Sequence, residues 1–274
     1  MAAQIGSAGD EGGGRIFAVA NQKGGVGKTT TAINLGTALA SVGKRVLVVD
    51  LDPQGNASTG LGIDRHNRRE STYHLLHGDI GLERAAAKSN NVPGLYVIPS
   101  TEELSGADIE LMGEKDRAHR LRNALRDAEG RAPAGYDFIL IDCPPSLNIL
   151  TVNALTAADA VIVPLQCEFF ALEGLSQLLR TVHRIRKGLN PTLGVQGVIL
   201  TMFDGRYRSC EEVARDAREI LGDLVYQTIV PRNVTIAEAP SHGVPVLMYD
   251  NKSPGSQAYV ALVPEFLERE NCSI

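Results

Sequence analysis

The chain has 274 residues, of which 43% are hydrophobic and 22% are charged, and its net charge at pH 7 is −5. This composition is typical of a globular protein, and it excludes a chain that is basic overall, so nucleic-acid binding would need a local basic patch. Because no apolar run is long enough to span a bilayer and no signal-peptide pattern is present at the start, we expect a cytoplasmic protein.

The first residues differ from the rest of the chain. Residues 1–14 are small, polar and rich in glycine, and we interpret them as a disordered tail. No internal repeat and no low-complexity linker divides residues 15–274, which are numerous enough to bury a sizeable core. We therefore predict a single folded domain over residues 15–274.

Apolar runs typical of buried strands alternate with helical patterns along this domain. Strands are predicted at 17–20, 45–50, 95–99, 136–142, 160–164, 197–201 and 224–230, and helices at 31–42, 116–129, 148–157, 171–188, 209–221 and 256–269. The alternation predicts an α/β fold, a P-loop NTPase-type domain with a mainly parallel, twisted sheet and helices on both faces. In such sheets, ligands bind at the carboxyl ends of the strands.

A glycine-rich run between the first predicted strand and helix has the pattern of a phosphate-binding loop. Its backbone N–H groups, the helix N-terminus and the mobile charge of Lys28 can hold phosphates, and the Thr29 hydroxyl can bind Mg²⁺. Gln22 replaces the first glycine of the ordinary motif, and the additional Lys23 is a candidate to reach a nucleotide on a partner subunit. The predicted nucleotide-binding residues here are Lys23, Gly24, Gly25, Val26, Gly27, Lys28, Thr29 and Thr30.

Acids that end two of the predicted strands can serve a metal ion and an attacking water. Asp142 follows an apolar run, where a Walker-B acid holds Mg²⁺ directly or through water; the alternative is a turn or helix cap. Asp50 and Asp52 follow another strand, and they face the same side if the extended geometry continues. We assign the metal to Thr29, Asp50 and Asp142, and the attacking water to Asp52, on a loop that the γ-phosphate can order. The predicted catalytic residues are Lys23, acting like an arginine finger, Lys28 and Asp52.

Together these segments resemble the deviant Walker-A ATPases and, within them, the ParA/Soj chromosome-partitioning family. The matching segments are 21–35, 50–57, 140–147, 166–174 and 231–243, which extend over nearly the whole chain. The resemblance implies that 15–274 is one deviant Walker-A ATPase domain with ATP and Mg²⁺ as cofactors. It also implies a homodimer with ATP sandwiched between the subunits, Lys23 on the partner's phosphates, and residues 168–173 near the dimer seam. The residues that would line the adenine are Pro231, Arg232 and Asn233.

By the same resemblance, the dimer binds double-stranded DNA without sequence preference. It would associate with the nucleoid and hydrolyse ATP slowly unless a ParB-type centromere-binding protein stimulates it. The function thus implied is an ATP-dependent switch that drives segregation of chromosome or plasmid DNA.

Two basic stretches can supply the DNA contact that the net charge does not. One is the end of the predicted helix 171–188, with Arg180, His183, Arg184, Arg186 and Lys187. In the second, the family has DNA-binding arginines near Arg206, and we predict contacts by Arg206, Arg208 and Arg218. A basic residue often follows Pro-Arg-Asn-Val in this family, whereas this chain has Thr235. A solvated helix end is the alternative for each arginine, but dimerisation doubles the patch, so binding should depend on ATP and on salt.

Three other classes of function stay open, and the second, a metabolic enzyme on the same scaffold, has two forms. A MinD-like, membrane-cycling ATPase would need a C-terminal amphipathic helix with a basic face, whereas this chain ends in an acidic segment, so we expect no membrane partner. A nitrogenase-reductase-like enzyme would need cluster-bridging cysteines, and Cys143 and Cys167 do not lie in that context. A carboxylate-activating enzyme would need a small-molecule pocket. A non-catalytic filament would assemble with ATP even after Asp52→Ala.

Overall fold

The computed structural model describes residues 14–127, 130, 132–133, 135–168 and 170–272. The predicted tail, apart from Gly14, therefore lies outside the described residues. The same holds for Phe169, within one of the family-like segments, and for the last two residues of the acidic C-terminal segment.

The described residues form one sheet of seven strands in the order β3-β4-β2-β5-β1-β6-β7. The strands are β1 (Arg15–Val19), β2 (Val46–Asp50), β3 (Ala87–Lys88), β4 (Leu95–Ile98), β5 (Phe138–Asp142), β6 (Ala160–Gln166) and β7 (Gly194–Thr201). All neighbouring pairs are parallel except β3 and β4. Central strands are buried throughout, as continuous apolar runs covered on both faces require.

Helices connect these strands and cover both faces of the sheet. They are α1 (Lys28–Ser41), α2 (Asn56–Gly60), α3 (Thr72–His77), α4 (Leu82–Ala85), α5 (Ala107–Glu110), α6 (Arg120–Leu125), α7 (Ile149–Ala157), α8 (Ala171–Gly188), α9 (Arg208–Leu221), α10 (Val234–Glu238), α11 (Val246–Tyr249) and α12 (Pro254–Arg269). Short 3₁₀ turns lie at Arg65–Asn67, Glu102–Gly106, Gly222–Leu224 and Ala239–His242.

Alternate residues of each strand enter two separate hydrophobic cores. In β1, Ile16 and Ala18 face the core beneath α7, α8 and α9, while Phe17 and Val19 face the core beneath α1 and α12. Phe266 of α12 lies edge-on to Phe17, with ring centroids 5.2 Å apart, so burial of aromatic rings fixes this helix on the sheet. Burial of one such side chain stabilises the fold by about 1.5–3 kcal/mol.

The predicted α/β domain with a mainly parallel sheet is confirmed, but the strand predicted at 224–230 is wrong. This segment lies beside β7 and donates from Tyr226 N to Val198 O and from Val230 N to Leu200 O, each at 2.9 Å. Between these two hydrogen bonds, the segment advances by four residues while β7 advances by only two. A continuous ladder of hydrogen bonds to β7 therefore does not form. The intervening N–H groups of residues 227 and 228 donate instead to the Glu265 carboxylate of α12, at 2.8 and 3.1 Å.

Candidate nucleotide-binding site

The loop between β1 and α1 has the backbone of a phosphate cradle. Gly25 and Gly27 have φ of +75° and +91°, a left-handed conformation that glycine adopts without the steric cost of a Cβ atom. A Cβ at Gly24 or Gly25 would meet nothing within 4 Å, so space is open above the loop. The first turn of α1 begins at Lys28 and presents unpaired backbone N–H groups with the positive end of the helix dipole. An anion such as a phosphate fits this arrangement.

The ends of β6 and β7 hold the phosphate loop in place. Thr201, the last residue of β7, donates its hydroxyl to Val26 O at 2.8 Å. Asn21 donates from Nδ2 to Pro164 O at 2.8 Å, and its Oδ1 accepts from Lys23 N at 3.1 Å. The sequence analysis did not single out Thr201, although a polar residue that ends an apolar strand is a signal of this kind.

Lys28 is buried inside the loop and directed along it. Its Nζ donates to Lys23 O at 2.9 Å. Burial lowers the pKa of Lys28, while the nearby acidic groups of Asp142, Cys143 and Asp52 oppose that shift. A phosphate bound by the loop would place a negative charge beside this ammonium and so stabilise its protonated form.

Asp142 at the end of β5 is a buried carboxylate without a hydrogen-bond partner. Among the described residues, neither of its oxygens has a hydrogen bond of normal distance and angle, although the Thr29 hydroxyl is near enough to act on the carboxylate, and its side chain is inaccessible to solvent. Burial, reinforced by Asp50, raises the pKa of Asp142 well above its usual range, while the Thr29 hydroxyl and the Lys28 charge oppose this. An unpartnered buried carboxylate is costly unless it is neutralised or coordinates a cation.

The buried Asp142 carboxylate, whose oxygens are free to coordinate a cation, makes this site suitable for Mg²⁺. Carboxylate, hydroxyl and phosphate oxygens are the ligands that Mg²⁺ prefers. No group of three or more His, Cys, Asp or Glu side chains in the described part of the chain could hold a metal by itself. A metal at this edge would therefore depend on Asp142, on Thr29 and on the oxygens of a bound nucleotide.

Asp50 lies next to Asp142 but is satisfied by the protein. The two residues are Cα partners in the parallel register of β2 and β5. Asp50 Oδ2 accepts from Ser58 N at 2.7 Å and from Ser58 Oγ at 2.6 Å. Burial raises the pKa of Asp50 to about 6, although these hydrogen bonds oppose the rise. Of the two predicted metal acids, Asp142 alone has both oxygens unused, and Asp50 positions the start of α2.

The chain turns after Leu51, so the condition for Asp50 and Asp52 to face the same side is not met. The Asp52 carboxylate accepts from Gln54 N at 3.0 Å, and its carbonyl accepts from Gly55 N at 2.9 Å. These local hydrogen bonds form a turn in place of an extended strand. Asp52 nevertheless lies close enough to Lys28 to affect its pKa, so the predicted water-orienting residue and the phosphate loop share one edge.

A buried network that the sequence analysis missed fixes this turn from below. Ser100 donates its hydroxyl to Asp52 O at 2.6 Å, and its N–H donates to Ser58 Oγ at 2.9 Å. The guanidinium of Arg68 donates to Ser100 O at 3.2 Å, to Ile63 O at 2.9 Å and to the Thr59 hydroxyl at 2.7 Å. Burial lowers the pKa of Arg68, and Asp50 opposes this. Arg68 lies in a polar segment without periodicity, so no sequence pattern indicated its burial.

The side chain of Lys23, the additional lysine of the loop, is paired with a residue outside the loop. Its ammonium forms an ion pair with the Glu168 carboxylate, which follows β6. Both side chains are rather more than one-third exposed, at 39% and 37%. Within one protomer, Lys23 is thus available at the surface and is not part of the cradle formed around Lys28.

The predicted adenine-lining residues lie beside the end of β7. Pro231 forms an isolated bridge with Phe203, and Arg232 N donates to Phe203 O at 2.9 Å. Asn233 caps α10 by accepting from Ile236 N at 3.3 Å. Because Thr201, two residues before Phe203, holds the phosphate loop, this segment and the loop are linked through β7. Their contact with adenine stays a prediction.

The three predicted DNA-binding arginines are each engaged within the protein. Arg206 chelates Asp204 at 2.6 and 2.8 Å and lowers the pKa of that carboxyl to about 2. Arg208 pairs with Glu212 at 3.2 Å, and Arg218 donates to a backbone carbonyl at 3.3 Å. Their role in DNA contact stays a prediction.

A phosphate cradle between a parallel strand and a helix, with buried acids on adjacent strand ends, defines a P-loop nucleotide-binding protein. Residues 14–195 match the family model of an AAA domain. The chain is 59% identical over 256 residues to the chromosome partitioning protein ParA of Caulobacter vibrioides (strain NA1000 / CB15N), covering 93% of this chain and 95% of that protein. It is 50% identical over 252 residues to the sporulation initiation inhibitor protein Soj of Bacillus subtilis (strain 168), covering 92% and 98%.

The fold is also similar to that of cobyrinic acid a,c-diamide synthase from Mycobacterium smegmatis with bound ADP and magnesium. The TM-score is 0.79 at 36% sequence identity, over 94% of this chain and 95% of that one. The sequence relatives are decisive: this chain belongs to the ParA/Soj family of chromosome-partitioning proteins, within the P-loop ATPases. Across the described residues, none of the helices has the length and apolar character needed to cross a membrane.

Proposed function

We propose that this protein is an ATP-dependent dimerising switch that binds DNA non-specifically and drives chromosome or plasmid segregation with a ParB-type partner. The observation that carries the proposal is the unpartnered, buried Asp142 carboxylate beside a preformed phosphate cradle. A protein keeps such a destabilising group where a ligand satisfies it. The Caulobacter relative, named as a chromosome partitioning protein, supplies the biological direction.

ATP and Mg²⁺ are the cofactors in this proposal. The loop from Lys23 to Thr30 would hold the phosphates, and Thr29 and Asp142 would hold the metal, with Asp50 behind them. Bound Mg²⁺ would supply charge neutralisation on the phosphates. Lys28 contributes a second positive charge, Asp52 orients the attacking water, and the segment Pro231, Arg232 and Asn233 would line the adenine. Hydrolysis by these groups alone is slow in the proposal, and the ParB-type partner accelerates it.

The exposed position of Lys23 supports the homodimer. An ammonium that lies outside its own cradle and pairs with a surface carboxylate can leave that partner at little cost, because exposed ion pairs contribute about 0–1 kcal/mol. In a sandwich of two subunits, it would reach the phosphates of the opposite subunit. We propose that the dimer acts in the cytoplasm on nucleoid DNA, in line with the partitioning role that the name of the Caulobacter relative gives.

The C-terminal helix α12 does not have the properties that a MinD-like membrane cycle would require. An interfacial helix must offer an apolar face to lipid. In α12, the large apolar side chains Leu262, Phe266 and Leu267 are buried in the core of this chain. The same residues therefore hold the fold together and are not available for a membrane.

Co-sedimentation with DNA tests the proposal directly. Wild type, Lys23→Ala and Arg206→Ala would be compared with ATP, with ADP and without nucleotide, at two salt concentrations. We expect binding of the wild type that requires ATP, weakens with salt and is lost in Lys23→Ala, and sedimentation velocity should show an ATP-dependent dimer. No DNA binding by the wild type under any condition would overturn the assignment.

A further inference from the structure

The outer face of α8 carries five basic residues that have no acidic neighbours in sequence. Between Glu173 and Asp204 the chain contains no Asp or Glu. Within that stretch lie the exposed side chains of Arg180, His183, Arg184, Arg186 and Lys187. None of these five forms an ion pair with a described residue, and Arg180 makes only a hydrogen bond to its own helix, to Ser176 O at 3.3 Å.

The helix fixes these side chains as a stripe on one face. Positions 180, 183, 184 and 187 follow the i, i+3, i+4, i+7 spacing that places side chains on one side of a helix. The opposite side of the same turns is anchored in the core through Leu178, Val182 and Ile185. At 1.5 Å per residue, the stripe is about 10 Å long, a length along which duplex DNA presents several phosphates.

The neighbouring helix α9 has no comparable stripe of cations that are free of acidic partners among the described residues. Its arginines alternate with acids, and the acids are Glu211, Glu212, Asp216 and Glu219. Arg208 and Arg215 have carboxylates within 3.2 and 3.5 Å, and Arg206 before the helix is chelated by Asp204. A phosphate approaching α9 would have to displace these carboxylates, whereas on α8 it would not.

We propose that the exposed C-terminal face of α8 binds the phosphates of duplex DNA, with Arg180, Arg184 and Lys187 of the stripe as its permanent charges. The inference rests on the proposed function and names the surface that carries out its DNA contact. The arginines predicted in the Arg206 region become secondary contacts to this surface. Phosphate contacts of this kind carry no sequence information, as a non-specific binder requires.

The chemistry of the face favours DNA over a membrane. Membrane surfaces attract basic helices, but stable binding also requires apolar side chains that insert between lipids. On α8 the apolar side chains are buried or partly buried, and none of the large exposed hydrophobic residues of the described chain lies within this helix. A face that is cationic and lacks exposed apolar groups matches a phosphate backbone.

The position of the stripe is compatible with the proposed dimer. Helix α8 leaves the carboxyl end of β6 and returns to the amino end of β7, so its basic end lies at the edge of the sheet away from the phosphate loop. Subunits that join across the nucleotide edge would leave both stripes open. The dimer then presents twice as many cations as the monomer, which couples ATP binding to DNA binding.

Salt dependence gives the size of the expected effect. The slope of log affinity against log salt is about −0.9 for each phosphate neutralised. The double variant Arg184→Ala/Lys187→Ala removes four such charges from a dimer, so its slope should be shallower by about 3 to 4. Between 50 and 200 mM salt, the wild type should lose about 100-fold more affinity than the variant.

The test measures binding of a fluorescent duplex by anisotropy in the presence of ATP, over a series of salt concentrations. The matched control is Arg65→Ala/Arg84→Ala, which removes two exposed arginines near the opposite edge of the sheet. Dimerisation with ATP and basal ATP hydrolysis are measured on all three proteins, and vesicles containing anionic lipid are a parallel binding partner.

We expect the α8 variant to dimerise and hydrolyse ATP like the wild type, to bind the duplex more weakly, and to show the shallower salt slope, while the control keeps both. If the α8 variant binds the duplex with the same affinity and the same salt slope as the wild type, this inference is overturned and the proposed function still stands. Absence of duplex binding by the wild type, or α8-dependent binding to vesicles in its place, would overturn both.

Discussion

Charge is organised in opposite ways at the carboxyl edge of the sheet and on the outer face of α8. At the carboxyl edge, Lys28, Asp50 and Asp142 are buried, and burial shifts the pKa of each toward the neutral form. On α8, the cations are exposed and form no ion pair with the residues that the structure describes. A buried charge costs several kcal/mol unless a partner satisfies it, whereas an exposed one costs almost nothing. The carboxyl edge therefore suits one ligand in one geometry, and α8 suits a polyanion of any sequence.

Replacement of Asp52 by Asn should have the largest effect at the buried edge. If Asp52 orients the attacking water, Asp52→Asn slows ATP hydrolysis by about 10²–10⁴-fold, which corresponds to about 3–5 kcal/mol in the barrier. ATP-dependent dimerisation and DNA binding should persist, because the phosphate loop is unchanged. Phosphate release under single-turnover conditions measures this, with the exposed Asp64→Asn as control. Equal rates in wild type and Asp52→Asn would favour the non-catalytic filament.

Replacement of Arg68 by Ala tests whether the buried edge depends on the network beneath it. Arg68→Ala leaves the carbonyls of Ile63 and Ser100 without their donor, and we expect a loss of about 3 kcal/mol in the free energy of unfolding. Arg68→Lys should recover only part, since an ammonium cannot reproduce the fork of the guanidinium. Urea unfolding gives the values, and the exposed neighbour Arg69→Ala is the control. A cost no larger than that of the control would contradict the network.

Removal of the Asp142 charge should stabilise the nucleotide-free protein while destroying its metal response. We expect Asp142→Asn to raise the free energy of unfolding by about 1–3 kcal/mol, because it removes an unpartnered buried charge. Since the pKa of Asp142 is raised in the folded state, wild-type stability declines as the pH rises through that pKa, and the advantage of the variant should grow with pH.

The Asp142→Asn experiment is a thermal melt at several pH values, with and without Mg²⁺ and ATP. The wild type should gain stability from the ligands, and the variant should gain much less. Wild-type stabilisation by Mg²⁺ and ATP that is unchanged in Asp142→Asn would show that this carboxylate does not serve the metal.

The sequence predicted the sheet and the phosphate loop because both leave local patterns. Continuous apolar runs identified six of the seven strands, and the glycine-rich turn identified the cradle. The strand expected at 224–230 failed because the Glu265 carboxylate, distant in sequence, takes the N–H groups that a ladder needs. β3 has only two residues and is too short to show a period.

Within the site, the acids were found but their different surroundings were not. Asp50 and Asp142 both end apolar strands, so pattern alone treats them alike. Ser58 donates hydrogen bonds to Asp50 but not to Asp142, and Arg68 supports the turn through Ser100. Both act through contacts that only the fold creates. The proposed DNA-binding face was ambiguous for a similar reason, because the acid that neutralises each arginine is known only once the side chains are placed.

The ion pair between Lys23 and Glu168 lies on the border between the buried edge and the exposed surface, and its effect should be the smallest. Glu168→Gln should leave the free energy of unfolding within about 1 kcal/mol of wild type, since exposed pairs contribute little. If Glu168 holds Lys23 back in the free protomer, the variant releases it and strengthens ATP-dependent dimerisation by up to about 5-fold, the equivalent of about 1 kcal/mol. Sedimentation equilibrium in the Asp52→Asn background, where ATP persists, measures this, with the exposed Glu219→Gln of α9 as control. Weaker dimerisation would instead show that Glu168 acts across the seam, and Lys23 would then owe its position to the partner subunit and not to its own protomer.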